Sequence, residues 1–382
     1  MTQAVLEQTT APGFGGAFST PAGGALIPSR AACAQPQEGA ENPLLARAVA
    51  ILREKPARVV LTDGEDIRSV AAALRLRRDG LVRPVLMGRP LAIRALVQEE
   101  LRRCGCPPVP VEVVDPASPA LLAKNTAQYM EHVRAGGKQI EQDEAERFMR
   151  LGPSAAAMMV RRGEVEVGVG GNVTSTSDIL RTGLRVLGTS PHSKTVSGFF
   201  FMIAPDEYAG GMGKEGRVLI FADGGVIPEP TQDQLVDIAI DSARQYQRMT
   251  GNEPRVAMLS FSSHGSAKHP RAEFVRATVE RIRQRAPGLL VDGELQFDAA
   301  VVPKVADQKV PGSPLGGRAN VLIFPSLEAG NISYKIAQRL GGYTAIGPLL
   351  QGLNGGWHDL SRGSSADDIY QVSIIGSVLQ RG

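Results

Sequence analysis

The sequence predicts an α/β protein of two domains, and three observations carry that prediction. The chain has 382 residues, more than a single hydrophobic core commonly serves. From Pro56 onward, short apolar runs alternate with amphipathic stretches of helical period. The polar, glycine-rich segments fall just after the apolar runs, where parallel strands pass into helices and where ligands of such sheets bind.

Residues 1–43 are rich in Ala, Gly, Thr and Pro and keep neither a strand nor a helix period, so they read as a flexible N-terminal tail. Within it, Ala4, Val5 and Leu6 form a candidate docking peptide for a partner or an enclosing shell. Arg58 to Thr62 then reads as a buried strand, and Asp66 to Arg77 as a helix ended near Gly80. Val82 to Met87 and Val111 to Val114 repeat the strand signal. A helix from Pro119 to Val133 follows, and another from Ile140 to Arg161 that Gly152-Pro153 must break or kink. Val165 to Val169 is a strand running into Gly170-Gly171-Asn172.

Further strands are expected at Thr195 to Ile203, Val218 to Ala222, Arg255 to Phe261, Val321 to Phe324 and Ala345 to Leu350. Helices are expected at Gln232 to Met249, Arg271 to Arg285 and Ile332 to Leu340, with a last one after Ser365. The result is parallel sheets covered by helices.

Composition narrows the function without naming it. A formal charge of +3 on a chain this long gives no support to a nucleic-acid or membrane partner, although local arginines can hold acidic small molecules. Cys33, Cys104 and Cys106 cannot build a disulfide framework, and Cys-x-Cys without nearby His or further Cys is a poor zinc site. A reducing cytoplasm fits best. No basic segment followed by an apolar one opens the chain, and the apolar stretch from Phe199 to Ala204 is too short to cross a bilayer. Neither secretion nor membrane insertion is expected.

Four segments carry enough chemistry to build a site. Gly168 to Asp178 follows a strand and precedes a helix; its glycines allow close approach to an anion, Ser175 and Thr176 add hydroxyls, and Arg181 lies about one turn into the helix. The same stretch also reads as a turn with a polar cap, and Val173 breaks any dinucleotide fingerprint. Ser260 to Pro270 offers hydroxyls and cations for a phosphate or nucleotide tail, or is a plain loop. No order of residues excludes a Ser-His-Asp triad, but no Gly-x-Ser-x-Gly elbow supports one. Arg134 closes a helix, where a cation is favourable for structural reasons alone. Finally, Asp359 to Ile369 packs hydroxyls, a guanidinium and carboxylates ahead of the last helix, with Ser365 placed to cap it and Asp368 at the third helical position.

Taken together, these segments resemble the phosphate acetyl/butyryltransferase family over about residues 44–382. The most specific matches are Val196 to Phe200, Phe221 to Gly225, Ser262 to Pro270, Asp292 to Asp298, Ala329 to Lys335, Gly347 to Gly352 and Asp359 to Ile369. The resemblance implies two three-layer α/β domains with a cleft between them, isocitrate/isopropylmalate dehydrogenase-like. Residues 44–196, completed by 346–382, would form the first domain and 197–345 an inserted second one. It implies reversible transfer of acetyl between CoA and phosphate, with acetyl phosphate as the other substrate and no metal or redox cofactor. A homodimer in the cytoplasm, or in a protein-bounded compartment, is expected with it.

Carried over by motif, Asp368 stands seven residues after Ser361 and would take the proton of the CoA thiol, which at a pKa of about 8.5 is only partly ionised near neutrality. Ser361 would donate to the developing oxyanion, and Arg362 would hold CoA or phosphate charge. Arg181, Arg134, Ser175 and Thr176 would bind the phosphoryl group of acetyl phosphate. Asn172 and Ser177 depart from the family pattern and are expected to bear on acyl preference or loop geometry; Ser364 stands where Cys is frequent. The competing readings are a butyryl or propionyl transferase, a non-catalytic acetyl-CoA-sensing domain, and a metal-dependent hydroxyacid dehydrogenase of similar fold. Capping and proton abstraction compete for the same oxygens of Asp368.

Overall fold

In the strand Ala57–Leu61 (β1), Val59 and Leu61 join one hydrophobic cluster while Val60, between them, joins another. That alternation is the mark of a strand covered on both faces. The structure, a computed structural model, describes residues 42–205 and 217–381. The expected tail lies outside the described residues up to position 41, and with it Cys33 and the docking segment at Ala4 to Leu6. Asn42 already belongs to the fold: its Oδ1 accepts from the amides of Leu44 and Leu45 at 3.1 and 3.3 Å and caps the helix Pro43–Glu54.

The first sheet joins β1 to Val82–Met87 (β2), Glu112–Val114 (β3), Val167–Gly170 (β4) and Gly356–Asp359 (β11) in the order β11-β4-β1-β2-β3, all parallel. The second comprises Ser197–Ile203 (β5), Val218–Ala222 (β6), Arg255–Leu259 (β7), Leu290–Leu295 (β8), Val321–Ile323 (β9) and Thr344–Gln351 (β10), ordered β10-β5-β6-β9-β7-β8. Here β5 runs antiparallel to both neighbours, and the rest are parallel. The α/β class read from the alternation holds. The chain changes sheet at a different point from the boundary expected at 345/346. Leu349 to Gln351 pair with Ser197 to Phe199, so β10 belongs to the second sheet and β11 makes the return.

One face of both sheets shares a continuous core. Val59 and Leu61 of β1, Phe199 and Phe201 of β5, Ile220 of β6 and Val321 of β9 all pack into it. It is covered by Leu44 and Leu52, by Val70 and Leu74 of the helix Ile67–Arg78, by Leu235, Ile238 and Tyr246 of the helix Gln232–Thr250, and by Ile369, Val372 and Ile375 of the helix Ala366–Arg381. Each such side chain, fully buried, contributes about 1.5–3 kcal/mol. The outer face of the first sheet is closed by the helices Pro119–Ala135, Gln142–Met149, Gly152–Arg161 and Thr176–Val186, and that of the second by a separate cluster around Phe200, Phe221 and Leu322. The stretch expected to break at Gly152-Pro153 does so: one helix stops at Met149, and the next takes Pro153 in its first turn.

Trp357 of β11 fixes the geometry that matters for the site. Its ring fills the space above Gly168 of β4, where a Cβ would come within 2.4 Å, and its Nε1 donates to the carbonyl of Ile179 at 3.0 Å. The helix Thr176–Val186 is thereby held against β4 and β11.

Candidate active site

The pairing of β11 with β4 puts Asp359 beside Gly170, so the loops that follow these strands leave the sheet side by side. On the other flank of β4, β1 brings Asp63. Its Oδ2 accepts from the amides of Gly171, Val173 and Thr174 at 2.9, 3.1 and 3.3 Å, and its Oδ1 from the Thr174 hydroxyl at 2.6 Å. The glycine-rich loop was expected to offer its amides to an anion. Three of them are turned inward onto Asp63 instead, which leaves side chains as the donors facing outward.

Ser175 caps the helix Thr176–Val186: its Oγ accepts from the Asp178 amide at 3.2 Å and donates to Asp178 Oδ2 at 2.7 Å. Asp178 Oδ1 in turn holds Arg181 Nη1 at 2.5 Å, so the exposed guanidinium is drawn back toward the start of its helix. Ser177 is exposed and its hydroxyl meets that of Ser175 at 2.9 Å. Asn172 is buried; its Nδ2 donates to Ser69 Oγ at 3.2 Å. Its departure from the family pattern therefore faces the protein interior.

Thr176 reaches across to the neighbouring strand end, and its hydroxyl donates to Asp359 Oδ2 at 2.7 Å. Asp359 is buried, and burial pushes its carboxyl up to about 6, with the charge of Asp63 acting in the same direction. The Thr176 hydroxyl and the Leu360 amide oppose that rise.

The loop after β11 carries Ser361, Arg362 and Gly363, all exposed, and then Ser364, which is buried. Ser361 Oγ accepts from the Gly363 amide at 3.3 Å, and the Arg362 guanidinium forms no ion pair among the described residues. At the start of the helix Ala366–Arg381, Asp368 Oδ2 accepts from the amide and the hydroxyl of Ser365 at 2.8 and 2.9 Å, while Ser365 Oγ accepts from the Asp368 amide at 3.2 Å. This is the capping box expected from the sequence. It occupies one oxygen of Asp368; the other, Oδ1, makes no hydrogen bond among the described residues.

Arg68 ties the three loops together. Its Nε and Nη2 grip Asp66 at 2.9 Å each, its Nη1 donates to the carbonyls of Arg362 and Ser364 at 2.9 and 2.8 Å, and its Nη2 reaches the carbonyl of Asn172 at 2.8 Å. Sequence reasoning assigned no part to Asp63, Arg68 or the carboxylate of Asp359. The available signal was positional, since Asp63 and Asp359 both stand at the carboxyl end of a parallel strand.

Other expected residues lie apart from this cluster. Arg134 is exposed in the last turn of the helix Pro119–Ala135 and has no partner among the described residues. That helix end is joined by His132 Nε2 to the carbonyl of Arg185 at 3.2 Å, at the end of the helix Thr176–Val186 away from Ser175. In the loop after β7, the hydroxyls of Ser262 and Ser263 are spent inside the protein, on Glu294 Oε1 at 2.8 Å and on the Gln296 amide at 2.9 Å. Burial raises the Glu294 carboxyl, but Arg276, the Gly265 amide and Ser262 more than offset it and hold it at about 2. His264 Nε2 and Ser313 Oγ both end on Asp292 Oδ2, at 3.1 and 2.5 Å. A nucleophile triad needs the histidine between the hydroxyl and the carboxylate, and this group is ordered otherwise. Among the described residues no three His, Cys, Asp or Glu side chains gather as a metal set, and no helix is long and apolar enough to cross a membrane.

Comparison with known proteins gives one consistent result. The family model described as "Phosphate acetyl/butaryl transferase" matches residues 43–377. A phosphate acetyltransferase of Staphylococcus aureus is 40% identical over 329 residues, spanning 85% of this chain and 94% of its own. Among solved structures, a phosphotransacetylase from Streptococcus pyogenes superposes with a TM-score of 0.79 at 36% identity, and one from Staphylococcus aureus with 0.77 at 38%. Each alignment covers 88% of this chain and 98% of the other.

Proposed function

Because the chain belongs to the phosphate acetyl/butyryl transferase family, we propose that this transferase catalyses reversible acetyl transfer between CoA and phosphate. The observation that carries the reading is the hydrogen bond from Thr176 to Asp359. It joins the loop bearing Ser175, Thr176 and Arg181 to the loop bearing Ser361, Arg362 and Asp368, at one edge of one sheet. The first loop is the phosphoryl side of the site and the second the thiol side.

In this reading acetyl phosphate places its phosphoryl group against Arg181, Ser175 and Thr176, with Arg134 as a more distant cation. Asp368 accepts the proton of the CoA thiol on Oδ1, the oxygen that the capping box leaves open. The thiolate attacks the acetyl carbonyl, a carbon–sulfur bond forms, and the carbon–oxygen bond to phosphate breaks. Ser361 donates to the oxygen that gathers charge between these events, and Arg362 neutralises phosphate or CoA. CoA enters as a substrate, and the reading needs no resident cofactor.

The division into one domain of residues 44–196 with a C-terminal return and one inserted domain belongs to the same proposal, with β10 counted in the insert. So does a cytoplasmic homodimer. Its support is the stripe Ile332, Ile336 and Leu340, exposed by 57, 53 and 85% along one face of the helix Leu327–Arg339 and its cap. The deciding experiment is thiol consumption with CoA and acetyl, propionyl or butyryl phosphate in parallel. Fastest turnover of acetyl phosphate is expected. Preference for a longer acyl chain replaces the substrate assignment, and silence with all three sinks the enzymatic reading.

A further inference from the structure

Thr176 sits on a boundary. Its side chain opens to solvent in the first turn of its helix, while its Oγ1 lies 2.7 Å from Oδ2 of Asp359, a carboxylate only 2% exposed. The second oxygen, Oδ1, has no hydrogen-bonding partner among the described residues. It presses on Gly171, where a Cβ would come within 2.2 Å of it. A threonine hydroxyl has one hydrogen to give. While Asp359 is ionised, that hydrogen is committed to the carboxylate, and Thr176 can offer an anion only lone pairs. With a proton on Asp359, the carboxyl donates to Oγ1 and the hydroxyl hydrogen turns outward.

We propose that Asp359 is a positioning residue for the phosphoryl group: through Thr176 it decides whether the mouth of this helix presents a donor or an acceptor, so anion binding and protonation of Asp359 occur together. The inference rests on the reading of the Ser175–Thr176 loop as the phosphoryl side. Its surroundings support it. A buried carboxylate oxygen without a partner is costly while charged and is relieved by a proton. The groups facing it are few. Asp63 bears on it from the end of β1, β4 presents only the Val169–Gly171 backbone, and the helix brings Thr176 and, further along, the Asp178–Arg181 pair. Its own loop adds the exposed Arg362. Burial and Asp63 place the proton equilibrium at about 6, where a bound anion can move it.

The test follows KM for acetyl phosphate in the wild type, Asp359→Asn and Thr176→Val, from two pH units below about 6 to two above. The asparagine amide mimics the protonated carboxyl. The ratio of wild-type KM to that of Asp359→Asn is expected to rise by up to tenfold per pH unit above about 6, with titration of the substrate cancelling in the ratio. Thr176→Val, which lacks the donor in both states, is expected to bind weakly at every pH and to lose the step. A flat ratio, or a step that survives in Thr176→Val, overturns the proposal. Calorimetric titration of the wild type with acetyl phosphate in two buffers of different ionisation heat stands if a variant does not fold. Uptake of up to one proton near neutral pH is expected, and none refutes the coupling. If the wild type turns over acetyl phosphate while these signatures are missing, only this inference falls; if no acyl phosphate is turned over, the reading beneath it falls as well.

Discussion

The Thr174 hydroxyl donates to Asp63 Oδ1 at 2.6 Å, the shortest of four hydrogen bonds that wrap one carboxylate in the loop after β4. A loop that looks like an anion cradle is in this way bound to a resident anion. The glycines serve to let the chain turn around Asp63 and pass beside Asp359; at Gly171, φ is 103°, a conformation that side chains with a Cβ resist. Recognition of a phosphoryl group is left to the hydroxyls and guanidinium that follow.

Asp63→Ala is expected to strand these donors. Leaving them without an acceptor costs about 1–3 kcal/mol, readable in urea unfolding. Acetyl transfer should fall at least tenfold, because the loop that carries Ser175 and Thr176 loses its anchor. Unchanged kinetics in a folded Asp63→Ala enzyme would disprove the anchoring role.

Asp368 has two jobs that mutation can separate. Ser365→Ala removes the cap and should cost about 1 kcal/mol of stability while changing the rate less than tenfold. Asp368→Asn keeps a capping oxygen but cannot take a proton, and kcat is expected to fall by about 10²- to 10⁴-fold at nearly constant melting temperature. Equal kinetic losses in the two variants would mean that the carboxylate acts only by holding the helix start.

Arg68→Lys is not a conservative change. A planar fork that reaches Asp66 and three carbonyls is replaced by a single point of charge. A loss of about 1.5–3 kcal/mol is expected, together with higher KM values for both substrates, since both loops are released. A rise for one substrate alone would show that Arg68 serves only one of them.

Acid stability should report His358. Burial pushes its imidazole down to about 4, against 6.5 for the ordinary group; its Nδ1 accepts from the Leu350 amide at 3.2 Å, and Gly376 leaves room for the ring. Between these values the unfolded chain holds more protons than the folded one. Stability is therefore full above about 6.5 and drains as pH falls toward about 4, by on the order of 3 kcal/mol. Asp359 acts in the opposite sense: folded it titrates at about 6 against 3.8, so its folded form gains protons, and stability, as pH falls through about 6. Asp359→Asn should thus steepen the acid loss, and His358→Asn should flatten it, in urea titrations at pH values on either side of about 5.

How much was legible depended on how plainly burial was written into each segment. Val82 to Met87 is an apolar run, and the strand occupies those residues. The helix Pro90–Cys104 escaped notice because only Ile93 and Glu100 on it are buried, too thin a stripe to mark a period. The strand Gly356–Asp359 escaped because Gly, Trp, His and Asp show no apolar run, although all four are buried. The same holds within the site. Ser361, Arg362 and Asp368 were visible as a motif, and the capping of Asp368 followed from spacing. The roles of Asp63 and Arg68 depend on chain segments more than a hundred residues away, and no local pattern announces such contacts.

Arg68 donates to the carbonyl of Ser364 across 296 positions of sequence. That separation governs when during synthesis the enzyme can first become competent. A nascent chain that has emerged through β10 already holds all six strands of the second sheet and four of the five of the first. It still lacks the strand that carries Trp357 and Asp359 and the helix that carries Asp368. Closing so distant a contact is entropically the slowest kind of step in folding. Activity should accordingly appear late and all at once, after residues 356–381 have docked, rather than growing with chain length on the ribosome.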